Sequence, residues 1–255
     1  MHVHRWRKSL PTEKVTIRIA DAACPAYVMS PGGVGPWPAV IFYGDAGGIR
    51  PAMLDMATKL ADAGYVVLLP DLFYRFGPYE PLVPKDVFKG DVMAILGPLM
   101  ATTGVDKAAS DTRDFLAYLD TRKDIAHGKL GAVGFCMGGG IAMGAAATFP
   151  ERFAAVASFH GGNLATDAPT SPHLLVAGLA AQVYIASADN DESYPPSMAA
   201  RLEESLIHAG VRYRAETYHG ALHGWMVPDF PVYDPDAADR GWQALLALFK
   251  QTLRA

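Results

Sequence analysis

Short apolar runs bounded by Gly, Pro, Asn and Asp alternate along the chain with longer stretches in which apolar residues return every three or four positions. The first pattern is that of buried strands and the second that of helices packed on them. Strands are predicted at about 14–20, 23–29, 38–43, 65–70, 129–134, 153–159, 181–187 and 211–217. Helices are predicted at about 51–63, 105–121, 137–148, 195–209 and 236–253. The helix at 51 is entered through Arg50-Pro51 and that at 195 through Pro195-Pro196, where a missing N–H costs nothing. The first two strands read as a hairpin. From Pro38 onwards strand and helix alternate, which predicts an α/β fold: a mostly parallel, eight-stranded sheet with helices on both faces, in one domain over 1–255.

Two stretches depart from that rhythm. Between Asp71 and Thr103 the periodicity fails, and Pro78, Pro81, Pro84 and Pro98 are interleaved with Phe73, Tyr74, Phe76, Tyr79 and Phe88. An irregular, lid-like insertion over about 71–103 is expected, or a solvated loop without a role. Residues 131–149, GAVGFCMGGGIAMGAAATF, carry no charge and reach the lower length limit of a membrane span. The break at Gly138-Gly139-Gly140 instead divides them into a buried strand, a tight turn and a buried alanine-rich helix.

The composition supports a packed core, with 51% hydrophobic and 19% charged residues. A formal charge of −4, with no Lys/Arg cluster, argues against nucleic acid as a partner. Residues 1–13 are read as a tail; Arg5, Arg7 and Lys8 precede no apolar stretch, so neither a secretory signal nor a membrane anchor is expected, and the cytoplasm is. Two cysteines, Cys24 and Cys136, are too few for a disulfide framework or a cysteine-based zinc site. No histidine cluster has metal-ligand spacing, so no metal and no cofactor are expected.

The chemistry concentrates at Gly134-Phe135-Cys136-Met137-Gly138, which has the form of a nucleophile elbow with cysteine in place of serine, between an apparent strand and an apparent helix. Such a turn strains the nucleophile's backbone, needs small neighbours, and aims the first free N–H groups of the helix at the sulfur. The alternative is a cysteine acting as a small buried hydrophobe in a glycine-rich turn. Two later loops weigh towards catalysis, because an acid and a histidine follow in the order such a triad requires. The acid is Asp189 or Asp191, in Ala188-Asp189-Asn190-Asp191-Glu192-Ser193-Tyr194-Pro195. The histidine lies in His219-Gly220-Ala221-Leu222-His223-Gly224-Trp225. His160, after the strand ending near 159, either lines the pocket or is a structural histidine.

GFCMG, the Gly220-Ala-Leu-His223-Gly-Trp225 loop and Pro70-Asp71-Leu72-Phe73 together resemble the dienelactone hydrolase (carboxymethylenebutenolidase) family of α/β-hydrolases, from about Val15 to the end of the chain. The resemblance implies a Cys136–Asp191–His223 triad, the family spacing of Asp to Pro favouring Asp191 over Asp189. It also implies an oxyanion hole from the N–H groups of Met137 and Ala46, and Asp45 in the place of a glutamate that pairs with the cysteine when substrate arrives. The family further holds a substrate carboxylate with two arginines. Arg75 matches the first, and Val227 stands where the second belongs. Hydrolysis of an activated ester or enol-lactone through an acyl-thioester is therefore expected, with poorer discrimination for carboxylates and better use of uncharged esters. The alternatives are a thioesterase or general carboxylesterase, or a non-catalytic hydrolase-like binding protein. The expected partner is a small-molecule ester or lactone, with the chain a monomer or homodimer.

Overall fold

The computed structural model describes residues 10–254. Eight strands form one sheet: β1 (Thr12–Ile19), β2 (Ala22–Met29), β3 (Ala39–Tyr43), β4 (Val66–Pro70), β5 (Leu130–Phe135), β6 (Phe153–Phe159), β7 (Gln182–Ala188) and β8 (Tyr213–Tyr218). The helices are α1 (Pro51–Asp62), α2 (Pro84–Val87), α3 (Val92–Met100), α4 (Val105–Asp120), α5 (Met137–Thr148), α6 (Pro196–His208) and α7 (Pro235–Leu253). The strand order is β1-β2-β4-β3-β5-β6-β7-β8, with β1–β2 and β2–β4 antiparallel and the rest parallel. This is the α/β-hydrolase architecture.

Period-two alternation decides which face each side chain joins. Ile41 and Tyr43 of β3 join a core with Phe115 of α4, Ile141 of α5 and Leu202 of α6. Val40 and Phe42 point the other way, onto Met53 and Leu60 of α1 and Leu245 and Phe249 of α7. Every residue of β3, β4 and β5 is buried, so these strands read as continuous apolar runs. The uncharged segment over 131–149 resolves into most of β5, the turn at Cys136 and α5. Among the described residues no helix is long and apolar enough to cross a membrane.

Two expectations need correction. Thr12 and Glu13 belong to β1, which shortens the expected tail, and its remainder up to Ser9 lies outside the described residues. The stretch over 71–103 is not irregular throughout, because it contains α2 and α3. Pro84 starts α2, Asp91 caps α3 by accepting from the N–H of Ala94, and Pro98 sits inside α3. A four-residue helix shows no period, and a helix apolar on several faces with an internal proline gives no amphipathic signal.

The topology places the site. β3 lies between β4 and β5, and the chain leaves β3 towards α1 and β4 on one side while β5 leads to α5 and β6 on the other. Between the carboxyl ends of β3 and β5 the two connections diverge, and a crevice opens at that switch point. Tyr43 pairs with Gly134 in register, so the loop after β3 and the turn after β5 are neighbours.

Candidate active site

β5 ends one residue before Cys136, whose φ of 54° and ψ of −120° lie in a region that non-glycine residues rarely occupy. Such strain costs of order 1–3 kcal/mol and persists only where the surroundings impose it. Here the Cys136 N–H donates to the Phe159 carbonyl at 3.0 Å, and the Gly139 N–H donates to the Cys136 carbonyl at 3.0 Å. Space enforces the rest. A Cβ on Gly134 would lie 1.9 Å from the Gly138 oxygen, and one on Gly138 would lie 2.2 Å from the Tyr43 oxygen. Both neighbours of the elbow are thus glycine because backbone occupies the place of a side chain.

His223 follows β8, between Gly220 and Gly224, both at positive φ. Its Nε2 is 3.1 Å from Cys136 Sγ, and its Nδ1 is 2.6 Å from Asp191 Oδ2. The other Asp191 oxygen accepts from the Ser193 N–H at 2.9 Å and from the Ser193 hydroxyl at 2.6 Å. Ser193 Oγ also lies 3.1 Å from His223 Nδ1. Asp189 does something else: its carboxylate accepts from the Gly220 N–H at 3.3 Å and lies 3.6 Å from His219. Of the two candidate acids, Asp191 is therefore the one against His223.

Burial alone would push the His223 imidazolium towards deprotonation, but its hydrogen bonds and charge interactions with Asp191 and Cys136 prevail and raise its pKa to about 10. Burial would likewise raise the Asp191 carboxyl; hydrogen bonds from His223 and Ser193 outweigh it and hold the group below its ordinary range. Behind the pair stands His160, fully buried, 5.4 Å from the His223 ring and 5.8 Å from Trp225. Burial, then the nearby His223 charge, hold His160 well below its usual pKa, so it is a neutral imidazole. Neither ring nitrogen has a hydrogen-bond partner among the described residues, and His160 packs behind the pocket instead of lining it.

Cys136 and His223 open into a cavity of about 450 Å³. Ala46 and Met137 line it beside the sulfur, and Met137, as the first residue of α5, has no acceptor within its helix for its N–H. The far wall comes from the α2–α3 segment through Val87, Phe88, Val92 and Leu96. Among the described residues no Lys, Arg, Asp or Glu lines the cavity.

Three sequence-derived residues take other places. Asp45 makes no hydrogen bond to Cys136 in this structure; Arg50 occupies both its oxygens, at 2.7 and 2.9 Å, and Asp45 Oδ1 also accepts from the Gly47 N–H. The same buried guanidinium holds Asp229 at 2.7 and 3.0 Å. Arg75 does not face the cavity, because Asp111 holds it in two hydrogen bonds of 2.6 and 2.8 Å, with Tyr74 stacked on it. Val227 is fully buried in the core with Trp225 and Met226 and offers the pocket no surface. Sequence reasoning missed Arg50, Asp229, Asp111 and Ser193. Only Ser193 had a local signal, the Asp-x-Ser spacing of an Asx turn.

The dienelactone hydrolase family model matches residues 24–253. A "putative carboxymethylenebutenolidase" of Synechocystis is 27% identical over 250 residues, covering 96% of this chain and 98% of its own length. One from Escherichia coli K12 is 28% identical, over 85% of this chain and 78% of its own. A Klebsiella pneumoniae crystal structure, described as a "putative dienelactone hydrolase", superposes with a TM-score of 0.84 at 24% identity, covering 96% of this chain and 100% of that one. A dienelactone hydrolase-like promiscuous phosphotriesterase from metagenomic libraries gives 0.76 at 20% identity, over 96% and 99%.

Proposed function

The chain belongs to the dienelactone hydrolase family and is a carboxylic ester hydrolase of that type; from that premise we propose that it cleaves activated esters and enol-lactones, with Cys136 as nucleophile, His223 as proton carrier and Asp191 as its orienting carboxylate. The observation that carries this reading is the continuous Cys136–His223–Asp191 chain, at 3.1 and 2.6 Å, opening into a cavity.

His223 takes the thiol proton, and the Sγ–carbon bond forms as the carbonyl electron pair moves onto oxygen, which the N–H groups of Met137 and Ala46 receive. Collapse breaks the bond to the leaving oxygen, which takes the Nε2 proton. Once the sulfur is acylated its charge no longer supports the imidazolium, so His223 is a neutral base for the water that attacks the thioester. That water's hydroxyl stays on the acyl carbon, its proton goes to Nε2, and the thiolate leaves. With both its oxygens on Arg50, Asp45 does not share in ionising the thiol in this state.

The nucleophile restricts the substrate. A thiol of pKa ~8.5 leaves the tetrahedral intermediate more readily than an alkoxide whose conjugate acid has a pKa near that of water, ~15.7, so simple alkyl esters revert. Enolates and phenolates compete and go forward.

The test is turnover of a 4-nitrophenyl ester by wild type, Cys136→Ala and His223→Ala, with both variants expected to fold and to lose activity. Iodoacetamide should label native protein once, at Cys136. Cys24 is fully buried, and burial pushes its thiol up to about 12, so it should react only after unfolding. Substantial turnover by Cys136→Ala, or equal labelling of the two cysteines, overturns the assignment.

A further inference from the structure

We propose that the substrate's acyl portion is an uncharged apolar group, and that the α2–α3 segment selects it against acyl groups bearing a carboxylate. This rests on the Cys136 mechanism proposed above.

Three observations converge. First, apart from Cys136 and His223 the cavity walls contain no charged or titratable side chain among the described residues. Second, the cations nearest by sequence are committed elsewhere: Arg75 to Asp111, and Arg50 to Asp45 and Asp229. Position 227, where the resembled family has its second arginine, points a valine into the core. A carboxylate entering this cavity would lose its hydration, and the cation it would meet among the described residues, the His223 imidazolium, is already paired with Asp191 and Cys136. Third, the apolar lining continues outwards. Phe88 and Met93 line the cavity yet are 47% and 63% exposed, so they form its mouth. Together with Val92, Leu96 and Met100 they make a wall of aromatic, thioether and branched side chains, which suits apolar groups of varied shape.

The acyl portion is the part this wall holds. It stays tethered to Sγ through both chemical steps; the leaving group of an ester departs through the mouth between them, and the leaving oxygen of an opened lactone stays on the acyl chain, so there the wall holds the whole substrate. A cavity of about 450 Å³ lies within the roughly 300–1,000 Å³ range of small-molecule sites, ample for a medium-length chain or a ring.

The experiment uses two esters with the same leaving group, 4-nitrophenyl hexanoate and the mono-4-nitrophenyl ester of adipic acid, which differ by a terminal carboxylate. We expect kcat/KM to favour hexanoate by about 100-fold or more. In Leu96→Arg, which puts a cation on the wall, hexanoate should fall and adipate rise, narrowing the ratio at least about tenfold. Phe88→Ala, at the mouth, should lower kcat/KM for hexanoate mainly through KM, with kcat held. Comparable kcat/KM for the two esters in wild type, with both reactions lost in Cys136→Ala, overturns the proposal while leaving the mechanism standing. Turnover that survives Cys136→Ala overturns the mechanism instead. A wild-type preference for hexanoate that Leu96→Arg leaves unchanged in folded protein removes α3 as the selecting element, and the proposal fails in that form.

Discussion

At the scale of single residues, the imidazole of His223 is biased from both sides, because both its nitrogens face groups that favour its charged form. Asp191 supplies the more durable half of that bias, since in the proposed mechanism the charge on sulfur disappears during each turnover. Asp191→Asn should therefore lower kcat on the order of 10⁴-fold, as loss of an orienting carboxylate does in serine hydrolases. Asp189→Asn should leave kcat nearly unchanged, because among the described residues the Asp189 carboxylate meets His219 and the Gly220 N–H and not His223. The reverse ranking in steady-state kinetics would transfer the role. A pH effect accompanies it. A histidine raised from 6.5 to about 10 contributes stability that is fully present below 6.5 and lost as pH rises through about 10. The thermal-stability advantage of wild type over His223→Ala should accordingly shrink as pH rises from about 6.5 to about 10. Among the residues of the sequence Asp189 and Asp191 were alternatives, and the family resemblance, through the spacing to Pro195 and the loop around His223, favoured Asp191 and His223, which the structure brings within 2.6 Å of each other. Ser193, which donates to Asp191 and touches His223 Nδ1, differs from any other turn serine only in three dimensions.

At the scale of elements, the turn at Cys136 was readable because its constraint is local: strand, glycine, cysteine, glycine and helix follow one another in the chain. The structure adds how tight that constraint is, and against what. Gly138 of α5 abuts the carbonyls of Tyr43 and Gly44, so the helix can start where it does only if that residue has no side chain. Gly138→Ala pushes backbone against backbone, with no flexible side-chain end to yield. It should cost about 3 kcal/mol, at the upper end of ordinary overpacking, and lower Tm by roughly 6–12 °C. A calorimetric Tm within a degree of wild type would mean that β3 and α5 can separate at little cost. The α2–α3 segment was misread for the opposite reason. Its residues pack on the cavity and on each other, so no single apolar stripe repeats along it, and prolines begin α2 and interrupt α3. Arg75 was misplaced by the same limit, since its partner Asp111 lies on α4, 36 residues along the chain.

Across the whole molecule, one buried cation ties together loops that the sequence keeps far apart. Arg50, at the start of α1, holds Asp45 in the loop after β3 and Asp229 in the loop after β8, 179 residues away. Asp45 in turn fixes Gly47 beside Ala46, one of the proposed oxyanion donors, while Phe230, next to Asp229, lines the cavity and faces the Arg50 guanidinium. In sequence Arg50 is only the residue before a helix-starting proline, and nothing local marks Asp229 as its partner. Net stabilisation by such a cluster is small when it is replaced whole, because Asp45 and the guanidinium have lost their water while Asp229 is only half-buried, but removing the cation alone leaves Asp45 buried without a counter-charge. Arg50→Ala should therefore cost about 3–5 kcal/mol in urea unfolding. Arg50→Met combined with Asp45→Asn and Asp229→Asn, which removes every charge at once, should recover most of that loss. The two loops would then be joined by weaker contacts, so the recovered variant should still turn over 4-nitrophenyl esters with a lower kcat than wild type. An Arg50→Ala protein with the unfolding midpoint and kcat of wild type would show that β3 and β8 hold their loops without this link.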